Sequence, residues 1–460
     1  MDQSGFLLGV FTEVKIIQIK IGNKEIGVDL LLLLFVYRLA MDYIYKQIIS
    51  PIYEYSGFVF APTIRMILLS WILLFISAVF ISKYYMNKEE SLSNELVFFI
   101  YLLSFIPFTS MIAAGVFDDR FILFNSIYWF SLIVLSQLIW AKIPRMTVSD
   151  NIRTTSATTV ISIISIVSVV VVLYVSGRYA HFRFLFSFEN VYGYREEASN
   201  YAIPKLLVYL FSWTKWLNVV LIAYYLRKKQ ILWVVLLLFV QLLSFSYDGM
   251  KGTLFATILV IGASFLSEYR LGSFNRHVLE LLVALAIACI LEFRVLHSIS
   301  LSSLFFRRTM FLPALLSSYY VEFFSKNVPD YFRASFLRHF GFSTPYPDLG
   351  HIIATTYFDR PGMNSNNGLI ADAVTNFGFA GIVIAPVLLG FLFKIIDYVS
   401  DDMDVRLVAP IAAALATGFL NSFIMTILLT HGLLAIILVL LFVKRDKKSQ
   451  WRRLETSARL

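Results

Sequence analysis

Runs of about 20 apolar residues recur along this chain, each long enough to cross the hydrocarbon of a bilayer as a helix. A helix satisfies its own backbone hydrogen bonds, which lipid requires of a spanning segment. Twelve such runs are legible, at roughly 27–47, 63–85, 93–116, 121–141, 156–177, 204–226, 230–247, 251–268, 277–297, 368–397, 405–425 and 427–443. The pairs at 230–268 and 405–443 turn on very short connections. Of the 460 residues 58% are hydrophobic and 15% charged, against roughly 25% charged in a soluble domain. The chain therefore reads as an all-α polytopic membrane protein, one domain over 1–460, where length alone would allow about three soluble ones.

Lysine and arginine near the span ends set the orientation. The tail KRDKKSQWRRLETSARL is the most basic flank and belongs in the cytoplasm. Counting back, the connections with Arg227, Lys228 and Lys229, with Arg270 and Arg276, and with Lys142, Arg145 and Arg153 also fall inside. The acidic turn at Asp118 and Asp119 falls outside. Both termini are then cytoplasmic, and two longer segments, 178–203 and 298–366, face the periplasm or exterior; the larger precedes the tenth helix. The net charge of +9 follows from this bias and implies no nucleic acid. The start, MDQSGFLLGVFTEVK, lacks the basic region and cleavage site of a signal peptide, so the first helix is expected to be retained. The stretch VKIIQIKIG alternates apolar and polar residues, as a short strand or an interfacial segment does. The single cysteine, Cys289, lies in an apolar run as a core residue; it allows no internal disulfide, and no Cys/His zinc spacing is present.

The exterior segments break the charge bias, and chemistry is expected there. The larger one holds Arg307, Arg308, Arg333, Arg338, His339, His351, Arg360, Asn364, Asn366 and Asn367. A cluster of cations beside a bilayer, with few carboxylates among them, suits an anionic headgroup such as a lipid-linked pyrophosphate. Arg307 and Arg308 are adjacent and point in different directions, so one at most faces a given phosphate. Pro345, Pro347 and Pro361 forbid a continuous helix. His351 is a candidate base, and Asn364, Asn366 and Asn367 offer amides for sugar hydroxyls. Asp372 and Asn376 are spaced i, i+4 on the next helix, with Gly378 and Gly381 allowing close packing.

The smaller segment contains Tyr192, Gly193, Tyr194, Arg195, Glu196, Glu197 and Asn200. It reads either as a self-neutralised cluster or as Arg195 on an anion with Glu196 or Glu197 accepting a proton. Lys215 lies at bilayer depth, where a charge costs on the order of 3 kcal/mol unless it lines a cavity or snorkels. In SYDGMKG, Asp248 and Lys251 at i, i+3 either neutralise each other or line a cavity floor. Arg38 and Asp42, at i, i+4, read as a structural pair. The acidic run Asp401, Asp402, Asp404 lies in a short inside turn, away from the other polar residues. There is no P-loop, GxGxxG or G-x-S-x-G motif.

On four stretches the chain resembles the bacterial O-antigen polymerase (Wzy-type) family, the oligosaccharide repeat unit polymerases. They are YGYREE, SYDGMKG, RRTMFLPALLSSYYVEFF, and the run from Pro347-Asp348-Leu349-Gly350 through NNGLIADAVTNFGFAGIVIAPVLLG. The resemblance covers 190–395; before that it is one of hydropathy only. It implies a cofactor-free, metal-independent inverting glycosyltransferase of the bacterial inner membrane, with its active site on the periplasmic face. Donor and acceptor would be undecaprenyl-pyrophosphate-linked oligosaccharides embedded in membrane lipid, and a chain-length regulator would be a partner. By family position it implies Arg195, Arg307 and Arg308 as pyrophosphate ligands, while Asn367, Gly368 and Asp372 match the start of a polar helix. Arg338, Arg360, Lys215 and Lys251 join the expected substrate contacts, and His351, Glu196 and Asp372 are the expected catalytic groups. O-antigen ligase and a lipid-linked oligosaccharide flippase are the rival readings. A transporter would spread its charges along facing helices, whereas here they gather in two segments.

Overall fold

The computed structural model describes residues 18–21, 24–82, 91–140, 157–184, 191–269, 274–335, 337–401 and 403–443. The basic connection with Lys142, Arg145 and Arg153, together with Arg270, Asp402 and the C-terminal tail, lies outside the described residues.

The described part of the alternating stretch, Gln18–Ile21, is a strand, β1, paired antiparallel with β2 (Lys24–Gly27); Val14–Ile17 and Gly22 lie outside the described residues. The other regular elements among the described residues are helical. Along the chain lie α1 (Val28–Ile44), α2 (Ile64–Ile81), α3 (Leu92–Ala113), α4 (Asp119–Trp140), α5 (Ala157–Ala180) and a short α6 (Val191–Ser199). Then come α7 (Lys205–Arg227), α8 (Ile231–Asp248), α9 (Lys251–Tyr269) and α10 (Phe274–Leu291). Next are α11 (Leu312–Lys326), α12 (Leu349–Phe358), α13 (Ile370–Phe377), α14 (Gly381–Ser400), α15 (Val405–Asn421) and α16 (Leu433–Phe442). Among the described residues eight helical spans are long and apolar enough to cross a membrane, so the chain is a polytopic membrane protein. The 230–268 pair resolves into α8 and α9. The 405–443 pair is less regular: 422–432 interrupts it, and α16 is only 10 residues long.

At the centre, α15 packs against α3, α7 and α9. Ala409, Ala412, Ala413 and Ala416 are each at most 1% exposed, and side chains this small let helix backbones approach closely. The pair Arg38–Asp42 forms as the spacing predicts. Arg38 is fully buried, and it also donates to Thr109 Oγ1 at 3.0 Å, Thr109 O at 2.8 Å and Ser70 Oγ at 3.3 Å. Asp42 accepts from Ser110 at 2.5 Å. Every member of that buried network is thereby satisfied, which a charge at this depth requires.

The two ends of the bundle differ. At one end Arg227 joins Asp404 at 2.6 Å and Glu268 at 3.4 Å, and Arg406 reaches Glu268 at 3.4 Å. Asp404, of the DDMD run, also caps α15 by accepting from the Arg406 backbone N–H at 3.0 Å. Among the described residues no group of three His, Cys, Asp or Glu converges as a metal site. The opposite end holds the polar segments considered next.

Candidate functional site

The segment 298–366 is a folded assembly of helices. The carboxylate of Glu292 accepts from the Leu301 N–H at 3.0 Å and the Ser298 hydroxyl at 2.9 Å, fixing its start. Ser302–Phe311 then winds as a π-helix, a wide turn seldom sustained so long and often found at functional sites. Arg307 and Arg308 stand in its second half and do part company. Arg307 is half-buried; its guanidinium lies 4.2 Å from the centre of the Tyr53 ring and donates to Ser303 Oγ at 3.3 Å. Arg308 is exposed and lies within electrostatic reach of Lys251, as does Arg195. Three cations from three separate elements, α6, the start of α9 and the π-helix, thus converge.

Two devices hold them there. The first is Arg183, just past α5. It donates to Ser246 O at 3.1 Å and Tyr247 O at 3.2 Å at the end of α8, and it pairs with Glu197 on α6. Its guanidinium also lies 4.9 Å from the centre of the Tyr194 ring. Arg195 is flanked by these two gripped residues, so a single side chain ties α6 to the turn that begins α9. Hydrogen bonds from Tyr201, at 2.8 Å, and from Arg183 hold the Glu197 carboxyl below the usual carboxylate range. The second device is Asp248. It pairs with Lys215, which is 3% exposed, and accepts the Met250 N–H at 3.1 Å. Gly249, at φ +63°, supplies the left-handed reversal. Lys215 therefore snorkels to the turn between α8 and α9 and orders it. Asp248, read in sequence only against Lys251, is engaged by Lys215, and Glu197 by Arg183.

A second polar patch lies on α12. His351 Nδ1 is 2.8 Å from Asp348 Oδ1. Asn364 and Asn366 fold back over Gly350, where a Cβ would collide with both amide oxygens. Tyr357 of α12 stacks on Tyr319 of α11 with ring centres 4.4 Å apart. From Arg308 to Tyr319 is 11 residues, or about 16 Å at the helical rise. Arg338 and Arg360 are exposed and flank α12 in sequence.

Two expected site residues are internal. Asn367 is 2% exposed, and its amide donates to Pro313 O at 2.9 Å and Ser317 Oγ at 3.0 Å, pinning the loop to α11. Asp372 is 9% exposed; one oxygen accepts from Asn376 at 2.7 Å and the other from the Ile424 N–H at 2.7 Å. It borders a cavity of about 130 Å³ lined by Phe332, Leu389, Phe419, Ser422 and Met425. Sequence reasoning missed Arg183, whose signal was an arginine just beyond the end of a span. It also missed His431, which stacks on Trp216 at 4.8 Å, next to Lys215 in α7.

Comparison with known proteins finds no matching family model, no matching curated protein and no matching solved structure.

Proposed function

We propose that this chain is a polysaccharide polymerase of the bacterial inner membrane. In this reading twelve helices span the bilayer, both termini are cytoplasmic, and the end bearing Arg195, Lys251 and Arg308 faces the periplasm. The substrates are undecaprenyl-pyrophosphate-linked oligosaccharides. A hydroxyl of the acceptor sugar attacks the anomeric carbon of the donor, the bond from that carbon to the pyrophosphate oxygen breaks, and configuration inverts. The observation that carries the reading is the convergence of Lys251 with Arg308 and Arg195. Negative charge develops on the departing pyrophosphate, and preorganised cations lower the barrier by meeting it there. No cofactor or metal is assigned a part.

The hydroxyl proton needs an acceptor. Glu196 follows Arg195 on α6 and is exposed. His351, with Asp348 against one ring nitrogen, has the other left to take a proton. The oxygens of Asp372 are engaged by Asn376 and Ile424, so its assigned part is to hold α13 against the 422–425 segment. The amides of Asn364 and Asn366 suit sugar hydroxyls, and the reach from Arg308 to α12 suits a glycan extending from its pyrophosphate. Arg338 and Arg360 are assigned to the periphery of that path, and a chain-length regulator is the expected protein partner.

The test is the surface polysaccharide of a strain lacking the gene. Loss of the ladder, with lipid A–core carrying a single repeat unit, is the expected result. Loss of every repeat unit from the core while lipid-linked polymer persists indicates a ligase. Single repeats stranded on the inner leaflet indicate a flippase.

A further inference from the structure

The end of the bundle away from the cation cluster contains a cavity that the reading above does not use. It lies where α7, α9 and α15 meet, has a volume of about 70 Å³, and is lined by Leu226, Arg227, Ser264, Phe265, Glu268 and Arg406. A water fills roughly 15 Å³ of such space, so a phosphate group has room. Two donors in the wall lack an acceptor. Ser264 is 9% exposed, and its hydroxyl has no hydrogen-bond partner among the described residues; neither has the buried Nε of Arg406. Buried donors are normally satisfied, and one ligand oxyanion would meet both. The carboxylates of the site are held unequally. Asp404 takes Nε and Nη2 of Arg227 at 2.6 and 2.5 Å, whereas Glu268 is shared between Arg227 and Arg406 and lies 3.4 Å from each. Two arginines against two carboxylates leave no net charge; Lys228 and Lys229 follow Arg227 but do not line the cavity. The site therefore offers donors for an anion and, beside them, a loosely held carboxylate for a cation. A head carrying both charges, a phosphate joined to an ammonium, matches that pattern.

The surface leading to the cavity is apolar. Along α9 the exposed residues Phe255, Ile258, Gly262, Phe265 and Glu268 recur every three or four positions, so they form one stripe along the helix. Glu268 ends the stripe, and Phe265, 58% exposed, belongs both to it and to the cavity wall. A hydrocarbon chain lying on the stripe would bring its head to the cavity. We infer that the cavity is a headgroup site for a zwitterionic aminophospholipid of the surrounding bilayer. Phosphate oxygens accept from Arg406 Nε and Ser264 Oγ, the ammonium donates to Glu268, and an acyl chain follows Phe265 and Ile258. An ammonium with N–H groups can donate to the carboxylate and a trimethylated one cannot, so the site discriminates between ethanolamine and choline heads. The lipid bridges α9 to α15, the helix at the centre of the bundle, and so stabilises it. Nothing in this site depends on the reaction at the opposite end.

The full chain in detergent is titrated with phosphatidylethanolamine, phosphatidylcholine or phosphatidylglycerol of the same acyl chains. Native mass spectrometry counts the bound lipid, and thermal unfolding is followed alongside. The wild type should hold one phosphatidylethanolamine roughly tenfold more tightly than phosphatidylcholine, and its melting temperature should rise with the former. Arg406→Gln and Ser264→Ala should each weaken that binding, the first by roughly tenfold or more. Glu268→Gln should bring the ethanolamine and choline lipids level. If Arg406→Gln does not fold, Ser264→Ala, which removes one hydroxyl, decides alone: unchanged binding there puts the lipid elsewhere and overturns the inference. Equal retention of the two zwitterionic lipids by the wild type overturns it as well. Tighter binding of phosphatidylglycerol makes the cavity a plain anion site, and displacement by millimolar inorganic phosphate makes the ligand a soluble one; either result overturns the inference.

Discussion

The Arg308 side chain shows what a residue in this protein is asked to do. It is exposed, and it lies within electrostatic reach of Lys251, a like charge that Arg195 also reaches; an arriving anion would lower that repulsion. Arg308→Ala should cost diphosphate affinity at least tenfold and abolish polymer, without loss of expression. Arg308→Lys should recover little, because a lysine keeps the charge and loses the two-pronged fork; near-wild-type polymer from either variant sinks the leaving-group role. Glu197 makes a different prediction. Its carboxyl is held below the ordinary value of about 4.3, so the proton it lacks when folded is one the unfolded chain would take up first. The clamp through Arg183 is then intact at and above pH 5 and weakens as pH falls through the lowered value. Hydrogen exchange over Val191–Ser199, corrected for intrinsic rate, should be equally slow at pH 7 and pH 5 and faster at pH 3. Unchanged protection at pH 3 would remove Glu197 from the clamp. Arg38 and Asp42 were legible in sequence because a helix places i and i+4 side by side. Lys215 with Asp248 was not, since that pair spans 33 residues and depends on two helices meeting.

At the scale of the element, close approach of backbones decides which changes are tolerated. A Cβ on Gly368 would meet the carbonyl of Phe419, and one on Gly381 the carbonyl of Ala373. Gly262, inside α9, has nothing within 4 Å of that position. Gly368→Ala and Gly381→Ala should therefore each destabilise the detergent-solubilised protein by about 1–3 kcal/mol, the usual cost of overpacking. Gly262→Ala should be neutral or stabilising, by up to about 1 kcal/mol, since glycine is the poorer helix former. Thermal unfolding followed by fluorescence ranks the three, and equal melting temperatures would refute the packing argument. Eight of the twelve apolar runs are, among the described residues, helices long and apolar enough to cross a membrane, because an apolar run of this length has one solution in lipid. Gly378 and Gly381 were read as packing residues, and Gly381 does lie against α13. The π-helix over Ser302–Phe311 was out of reach of sequence; it packs against α11, α3, α1 and α10, neighbours that are far from it in the chain or carry no π signal of their own. Likewise the run from Asn364 to Asn367 offered three asparagines around Ser365, and only burial separates the amide that pins the loop from those that stay exposed.

For the whole molecule, the arrangement of charge is a statement about sidedness. One end ties Arg227, Arg406, Glu268 and Asp404 into a network that neutralises itself; the other gathers cations at an open surface. In the proposed orientation the positive-inside bias puts Arg227, Lys228 and Lys229 in the cytoplasm, and Asn200, at the far end of α7, then faces outward. That placement is testable because the chain has a single cysteine, Cys289, which is fully buried and can be replaced by serine. In that background Asn200→Cys should react with a membrane-impermeant maleimide in intact spheroplasts. Lys229→Cys should react only after the membrane is opened, with a contrast of at least tenfold; both positions are exposed, so neither outcome hinges on burial. The reverse pattern would turn the cation cluster toward the cytoplasm. An enzyme so oriented would meet lipid-linked units before their export, and polymerisation at the periplasmic face would have to be given up, whatever the arginines bind.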